Sequence, residues 1–337
     1  MSILTRRSFL FATMATMAGP AFAGPSPTST RIALDWTPNT NHVGLFVAKA
    51  LGYYEAAGLD VKILPYADTS SGTLIGNGIA DFGVTGSLGL FTQRAAGVDL
   101  EAVYGVVQKE TGRLVFRADR KTIRTPADLD GLTYGGFGSD WEKTLIATII
   151  RHGGGKGDFR MVTLGTSAYQ ALDNGSVDFT LEVSTWEGVE AELEGPELRG
   201  FAYADYGVPD EQTTLIASSQ RFLKAYPKLA AAFVQATQRG YAYAAAHPDK
   251  AADMLIAANA ASLTNGKLVH ASMHMLADEH FLRAPGVPIG HLDPGKASAM
   301  GSFLFRSGIL RDGEGTALRT QPDFSTYFTN AYLANGL

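Results

Sequence analysis

A nine-residue pattern that occurs twice constrains this chain more than any other feature. Leu74-Ile75-Gly76-Asn77-Gly78-Ile79-Ala80-Asp81-Phe82 is echoed by Ala171-Leu172-Asp173-Asn174-Gly175-Ser176-Val177-Asp178-Phe179. In both copies a helical stretch runs into Asn-Gly, a pair that tolerates the left-handed conformation of a helix C-cap. A strand then begins at Asp-Phe. Two generic helix-to-strand turns with a popular cap would give part of this match. Agreement in both residues and context predicts two lobes of similar build.

Around the two copies, short apolar strands alternate with amphipathic helices, the order of an α/β protein with largely parallel sheets. Strands are expected at 31–34, 59–64, 81–84, 101–107, 114–117, 132–135, 160–164, 177–181 and 213–217. Helices are expected at 42–51, 71–77, 89–96, 140–151, 168–174 and 185–193. After Ser218 the chain is Ala-rich and reads as helical almost to its end. The first lobe is then expected to hold residues 31–117 and 209–337, and the second 118–208. Two crossings make a hinge, a layout suited to closing over a ligand.

The first residues read as an address. Arg6-Arg7-Ser8-Phe9-Leu10, an apolar run to Met17 and Ala21-Phe22-Ala23 have the order of a secretory signal peptide. The arginine pair favours the twin-arginine route, with an ordinary Sec signal as the other reading. Cleavage near Ala23 would leave 314 residues in the periplasm, beginning with a disordered leader at 24–30. It would also move the formal charge from −5 to −7, since residues 1–23 carry two arginines and no acid. That balance argues against a nucleic-acid partner, whose phosphates need a basic stripe. Cysteine is absent, which removes thiolate nucleophiles, Cys-ligated metals and disulfides.

Ligands of open α/β sheets sit beyond the carboxyl ends of the strands, and four such segments carry unusual residues. The first, Leu34 to His42, offers the flat face of Trp36 flanked by Asp35, Asn39 and His42. The alternative is that Trp36 plugs a core and His42 opens a helix. The second is Thr85-Gly86-Ser87, where free N–H groups and hydroxyls at a helix start suit an anionic or carbonyl group, and where simple N-capping explains Ser87 equally. The third, Gly135 to Glu142, includes Gly136, Gly138 and Trp141. Its glycines let a ligand approach the backbone closely, but it lacks a nucleotide fingerprint. Ser139 and Glu142 have capping-box spacing there.

The fourth runs from Glu182 to Glu190. Ser184 and Glu187 again have capping-box spacing, while Trp186 and Glu190 are four apart, on one helix face. An indole beside a carboxylate suits a nitrogen heterocycle with an exocyclic amine, whose N–H groups the acid accepts. All three tryptophans fall in these segments. The ligand they imply is flat, aromatic and a hydrogen-bond donor. His270 and His274, with His280 beyond, lack the acid of a metalloprotease helix and read as solvated residues.

The run Ala33-Leu-Asp-Trp-Thr-Pro-Asn-Thr-Asn-His-Val-Gly44, continuing into Ala48-Lys-Ala-Leu-Gly-Tyr-Tyr-Glu-Ala-Ala-Gly-Leu-Asp60, resembles the substrate-binding proteins of ABC importers related to the thiamine-pyrimidine synthase of fungi. Asn77-Gly78 with Asp81-Phe82, and the Trp186–Glu190 segment, are similar to the same family. The resemblance implies a type II periplasmic-binding-protein fold of two α/β lobes joined by a two-strand hinge. It also implies a monomer that delivers a small heterocycle to a permease and ATPase of the inner membrane. Thiamine-precursor aminopyrimidines lead as cargo, with riboflavin, sulfonate and nitrate binders as alternatives. The fungal enzymes resemble a Cys-rich, iron-dependent pattern with lysine-bound pyridoxal phosphate. With no Cys here, neither catalysis, cofactor nor metal is expected.

Overall fold

The computed structural model describes residues 27–66 and 69–336. The expected export signal, and residues 24–26 of the expected leader, lie outside them. Ten strands form two five-stranded sheets. The first sheet holds β1 (Thr28–Ala33), β2 (Leu59–Leu64), β3 (Phe82–Gly86) and β4 (Glu101–Gly105). The second holds β5 (Gly112–Arg117), β6 (Thr133–Gly136), β7 (Arg160–Thr163), β8 (Phe179–Val183) and β9 (Leu198–Ala202). A tenth strand, β10 (Thr214–Ser218), returns to the first sheet. The orders are β2-β1-β3-β10-β4 and β7-β6-β8-β5-β9, so the lobes correspond strand for strand.

β1 begins three residues before the expected boundary, because Thr28, Ser29 and Thr30 pair with Leu59, Asp60 and Val61. The sheets are also mixed rather than largely parallel. β1 runs parallel to β2 and β3, and β6 parallel to β7 and β8. β10 and β5, which stand next to the crossings between lobes, run antiparallel to both their neighbours.

The repeated pattern has a mechanical meaning. Gly78 and Gly175 take φ of 68° and 77°, which a side chain would resist. The chain then turns so that Asp81 Oδ2 accepts the N–H of Arg31 at 2.8 Å, and Asp178 Oδ2 accepts that of Thr133 at 2.8 Å. Each aspartate, just before the central strand of its own lobe, thereby fastens the neighbouring strand, β1 or β6. Arg31 and Arg120 complete the two clasps as ion pairs.

Helices α1 (Val43–Ala50), α2 (Tyr53–Ala56), α3 (Ser71–Gly76) and α4 (Ser87–Ala95) belong to the first sheet, and α5 (Asp140–His152), α6 (Ala168–Asp173) and α7 (Val189–Glu194) to the second. After β10 come α8 (Gln220–Ala225), α9 (Pro227–Ala246), α10 (Pro248–Ala258), α11 (Gly266–Asp278) and α12 (Pro294–Arg306). α9 lies tight on α1. A Cβ on Gly240 would strike the carbonyl of Gly44, and one on Gly44 the ring of Tyr241. The helical expectation fails beyond α12, where Gly308, Gly313, Gly315 and Pro322 interrupt the chain and one 3₁₀ turn, Phe324–Tyr327, remains.

The first core stacks Phe82 on Phe233 with centroids 4.0 Å apart. The second gathers Leu114, Phe116, Tyr134, Ile146 and Phe179, and it takes in Met300, Leu304 and Leu310 from the C-terminal part of the chain. α12 thus packs with second-lobe residues, although the sequence reading placed everything after 208 in the first lobe.

Candidate ligand-binding site

Beyond β1, Trp36 remains 39% exposed and leans on Tyr66, centroids 5.2 Å apart at 48°. It does not plug a core. Asn39 caps the 3₁₀ turn Thr40–His42: its Oδ1 accepts the N–H of Asn41 at 2.9 Å, and its own N–H donates to His42 Nδ1 at 3.2 Å. Because Nδ1 accepts, the ring proton sits on Nε2, which donates to Asp35 Oδ1 at 2.9 Å. His42 is fully buried with both nitrogens engaged, so it acts outward only by orienting Asp35, which is 31% exposed. The neighbouring Asn41 was not singled out in the sequence. Its Oδ1 is buried without a partner.

At the end of β3, Thr85 within the strand and Ser87 at the start of α4 are both buried. The cap of α4 is Gly86, with no side-chain bond, so Ser87 is not an N-cap. Its hydroxyl donates to Glu211 instead.

Beyond β6, the Ser139–Glu142 capping box forms as expected. Glu142 accepts from the Tyr134 hydroxyl at 2.6 Å, the Phe137 N–H at 2.8 Å, the Ser139 N–H at 2.7 Å and the Ser139 hydroxyl at 3.0 Å. Burial alone would raise this carboxyl; these donors outweigh it and hold Glu142 below the usual carboxylate range. The same contacts account for the glycines. A Cβ on Gly136 would collide with Tyr134 and Glu142, and one on Gly138, at φ 81°, with Thr163. Trp141 stands edge-on to Phe303 of α12 at 6.1 Å. Phe137, unremarked in the sequence, is 47% exposed.

Beyond β8 the chain forms a π-helical turn, Ser184–Gly188, where an α-helix was expected. π turns recur at functional sites. The Ser184–Glu187 capping box does not form, because the wider turn leaves the first residue without a side-chain cap. Glu187 is instead folded inward with Oε2 buried and unpartnered. Burial is the main reason its carboxyl is pushed up to about 7; backbone N–H groups oppose the shift, and the charges of Glu182 and Glu190 add to it.

Glu187 lines a cavity of about 290 Å³ together with Tyr169, Glu182, Glu190 and Glu194. Burial and these acids raise the Tyr169 phenol, so it remains a donor. Glu182, raised by burial, is partly relieved by Arg113, whose Nε donates to it at 2.6 Å. Neither Tyr169 nor Glu182 was marked as a ligand residue from sequence; what joins them is the meeting of α6, β8 and α7.

The structure brings Glu187 and Glu190 together but separates Trp186 from Glu190. Trp186 packs on the core of the first lobe, whereas Glu190 is exposed at the cavity. The π turn changes the helical phase between them. Trp36 is not part of the cavity lining, which comes wholly from residues 169–198. The two segments are nonetheless tied: Thr40 Oγ1 lies 2.6 Å from Ser272 Oγ on α11, which donates to the Thr185 carbonyl at 2.5 Å. His270 and His274, on the face of α11 turned to α10, both lie within 3.1 Å of Asp249 Oδ1. They have acid partners rather than water alone.

Two α/β lobes of matching strand order, joined by two crossings, define a type II periplasmic-binding-protein fold. The periplasmic aliphatic sulphonate binding protein of Escherichia coli shares it, with a TM-score of 0.67 at 17% identity over 90% of this chain and 92% of that one. Residues 39–251 match the family described as NMT1/THI5 like, and the chain belongs to that family. A formylaminopyrimidine-binding protein of Halalkalibacterium halodurans is 28% identical over 232 residues, 67% of this chain and 69% of that protein. A 4-amino-5-hydroxymethyl-2-methylpyrimidine phosphate synthase of Saccharomyces cerevisiae is 25% identical over 230 residues, 65% of this chain and 67% of that protein.

That last relative overturns the expectation that catalysis is foreign to such a chain. Synthases of the same name from Legionella pneumophila and Uromyces fabae are also similar. The expectation rested on missing cysteines, and the similarity to these synthases holds without them.

Proposed function

We propose that this chain is the substrate-binding component of an ABC importer, exported to the periplasm, and that its cargo is a planar N-heterocycle bearing an exocyclic amine. A thiamine-precursor aminopyrimidine is the foremost candidate. The observation that carries this reading is Glu187 Oε2, buried and unpartnered beside Glu190 and Tyr169. An unpaired buried polar group costs about 1–3 kcal/mol, which a donated N–H would offset. Glu187 and Glu190 accept from the amine edge, and Tyr169 donates to a ring nitrogen. On closure, Trp36 and Tyr66 cover the ring face while Asp35, held by His42, meets the far edge. A cavity lined by Glu182, Glu187, Glu190 and Glu194 would repel a sulfonate or nitrate. The permease and ATPase are the partners this reading requires.

The test is a thermal-shift panel of aminopyrimidines, thiamine, riboflavin, taurine and nitrate on the chain from residue 24. A ligand at a hundredfold its Kd adds about 2.7 kcal/mol of stability. An aminopyrimidine should raise the melting temperature and the two anions should not. A shift with taurine or nitrate alone would reverse the assignment.

A further inference from the structure

The chain passes between the lobes through residues 106–111 and 207–213, and each crossing brings a glutamate to the same point. The Glu110 and Glu211 carboxyls face one another, Glu211 buried and Glu110 partly buried. Two carboxylates in such contact cannot both ionise, so the pair keeps a proton. The surroundings decide which residue holds it. Glu110 Oε1 accepts the N–H groups of Thr111 at 2.8 Å and Gly112 at 2.7 Å, which stabilise charge there. Glu211 lies deeper and is met by a single hydroxyl, that of Ser87. Glu211 is therefore the acid, donating to an ionised Glu110.

The other groups facing the pair do not neutralise it. Asp210 accepts the Glu110 N–H at 2.9 Å and adds a further negative charge. Lys296 of α12 pairs with Asp210 at 2.6 Å and donates to the Gln108 carbonyl at 2.7 Å. Tyr203 approaches from the second lobe as a buried phenol.

We propose that the proton on Glu211 is a clasp for the hinge. While present it holds the two crossings side by side; its loss sets like charges against each other and loosens the lobes. Ser87 is the first residue of α4, directly after β3, so the clasp also reaches the carboxyl end of that strand in the first lobe. Burial raises both carboxyls, Glu211 well above the ordinary range, with the charge of Glu110 adding to it. The sign follows: a group whose pKa is raised on folding stabilises below its unfolded value, and that stabilisation is lost as pH rises through the folded value.

The test uses the ligand-free chain from residue 24, so its failure would leave the cargo assignment untouched. Infrared spectra should show a protonated carboxyl band at pH 7 that disappears on raising the pH. Small-angle scattering should show the radius of gyration growing over the same interval. Glu211→Gln, neutral and still a donor, should lack the band and keep one radius throughout. In Glu110→Gln, with the opposing charge gone, the band should vanish at lower pH than in wild type; this variant decides the matter if Glu211→Gln fails to fold. A wild type without the band at pH 7, or loosening that persists unchanged in Glu211→Gln, would overturn the clasp.

Discussion

Glu142 and Glu187 occupy equivalent places and share one sequence signature, yet the protein uses them in opposite ways. Each lies three residues after a serine in the second lobe, one beyond β6 and one beyond β8. Glu142 meets four donors and closes the first turn of α5. Glu187 sits in a π turn, buried, with an oxygen that meets none. Stability can explain the first arrangement, because every desolvated oxygen is matched. It cannot explain the second, which sacrifices stability for a buried acceptor left free beside a cavity. The same contrast separates the two ends of each lobe: Asp81 and Asp178 fasten the strand starts, while Asn41 and Glu187, two of the three buried side chains left with an unpartnered atom among the described residues, follow the ends of β1 and β8.

The largest effect should come from the satisfied glutamate. Glu142→Ala strands the Tyr134 hydroxyl and two backbone donors, and should destabilise the fold by about 3 kcal/mol, read as a lower urea midpoint. Equal stability of variant and wild type would show that Glu142 contributes no more than Glu187. Next in size is pH. Glu187, raised to about 7, favours the folded state below its unfolded value, and that contribution fades as pH rises through 7. Glu142, held low, contributes above its unfolded pKa and is lost as pH falls through its folded value. Subtracting the melting profile of Glu187→Gln from that of wild type should therefore leave a decline that begins near the unfolded pKa and is complete just above pH 7, and a flat difference would break the contrast. The smallest effect is expected at Trp36→Ala, which removes one ring face from a ring that already leans on Tyr66. Loss of about 0.5–1.5 kcal/mol of aromatic contact corresponds to roughly twofold to tenfold weaker ligand binding by fluorescence titration.

Much of the frame was legible in the sequence because it rests on local chemistry. The Asn-Gly-x-x-Asp-Phe echo announced two lobes, and the Ser139–Glu142 box formed where its spacing put it. β9 was missed because Leu198-Arg-Gly-Phe-Ala202 is an edge strand with little alternation to see. The antiparallel setting of β5 and β10 depends on crossings that no local pattern encodes. In the LDWTPNTNH run the sequence singled out Asn39, which caps the turn, while the side chain left with an unpartnered oxygen is that of Asn41; no local pattern tells the two apart. The π turn was hidden by a capping-box spacing identical to the one that does form. Tyr169, on α6, reaches Glu187 only through packing, whereas Glu182 stands just before the π turn at the end of β8.

Glu187 bears the most weight, and calorimetric titration of an aminopyrimidine at pH 8 into wild type and Glu187→Gln tests it most directly. The substitution keeps one acceptor and turns the other into a donor. A charged hydrogen bond contributes about 1.5–3 kcal/mol, so affinity should fall roughly ten- to a hundredfold while the melting temperature holds or rises. Equal affinity in the two proteins would contradict the role assigned to Glu187.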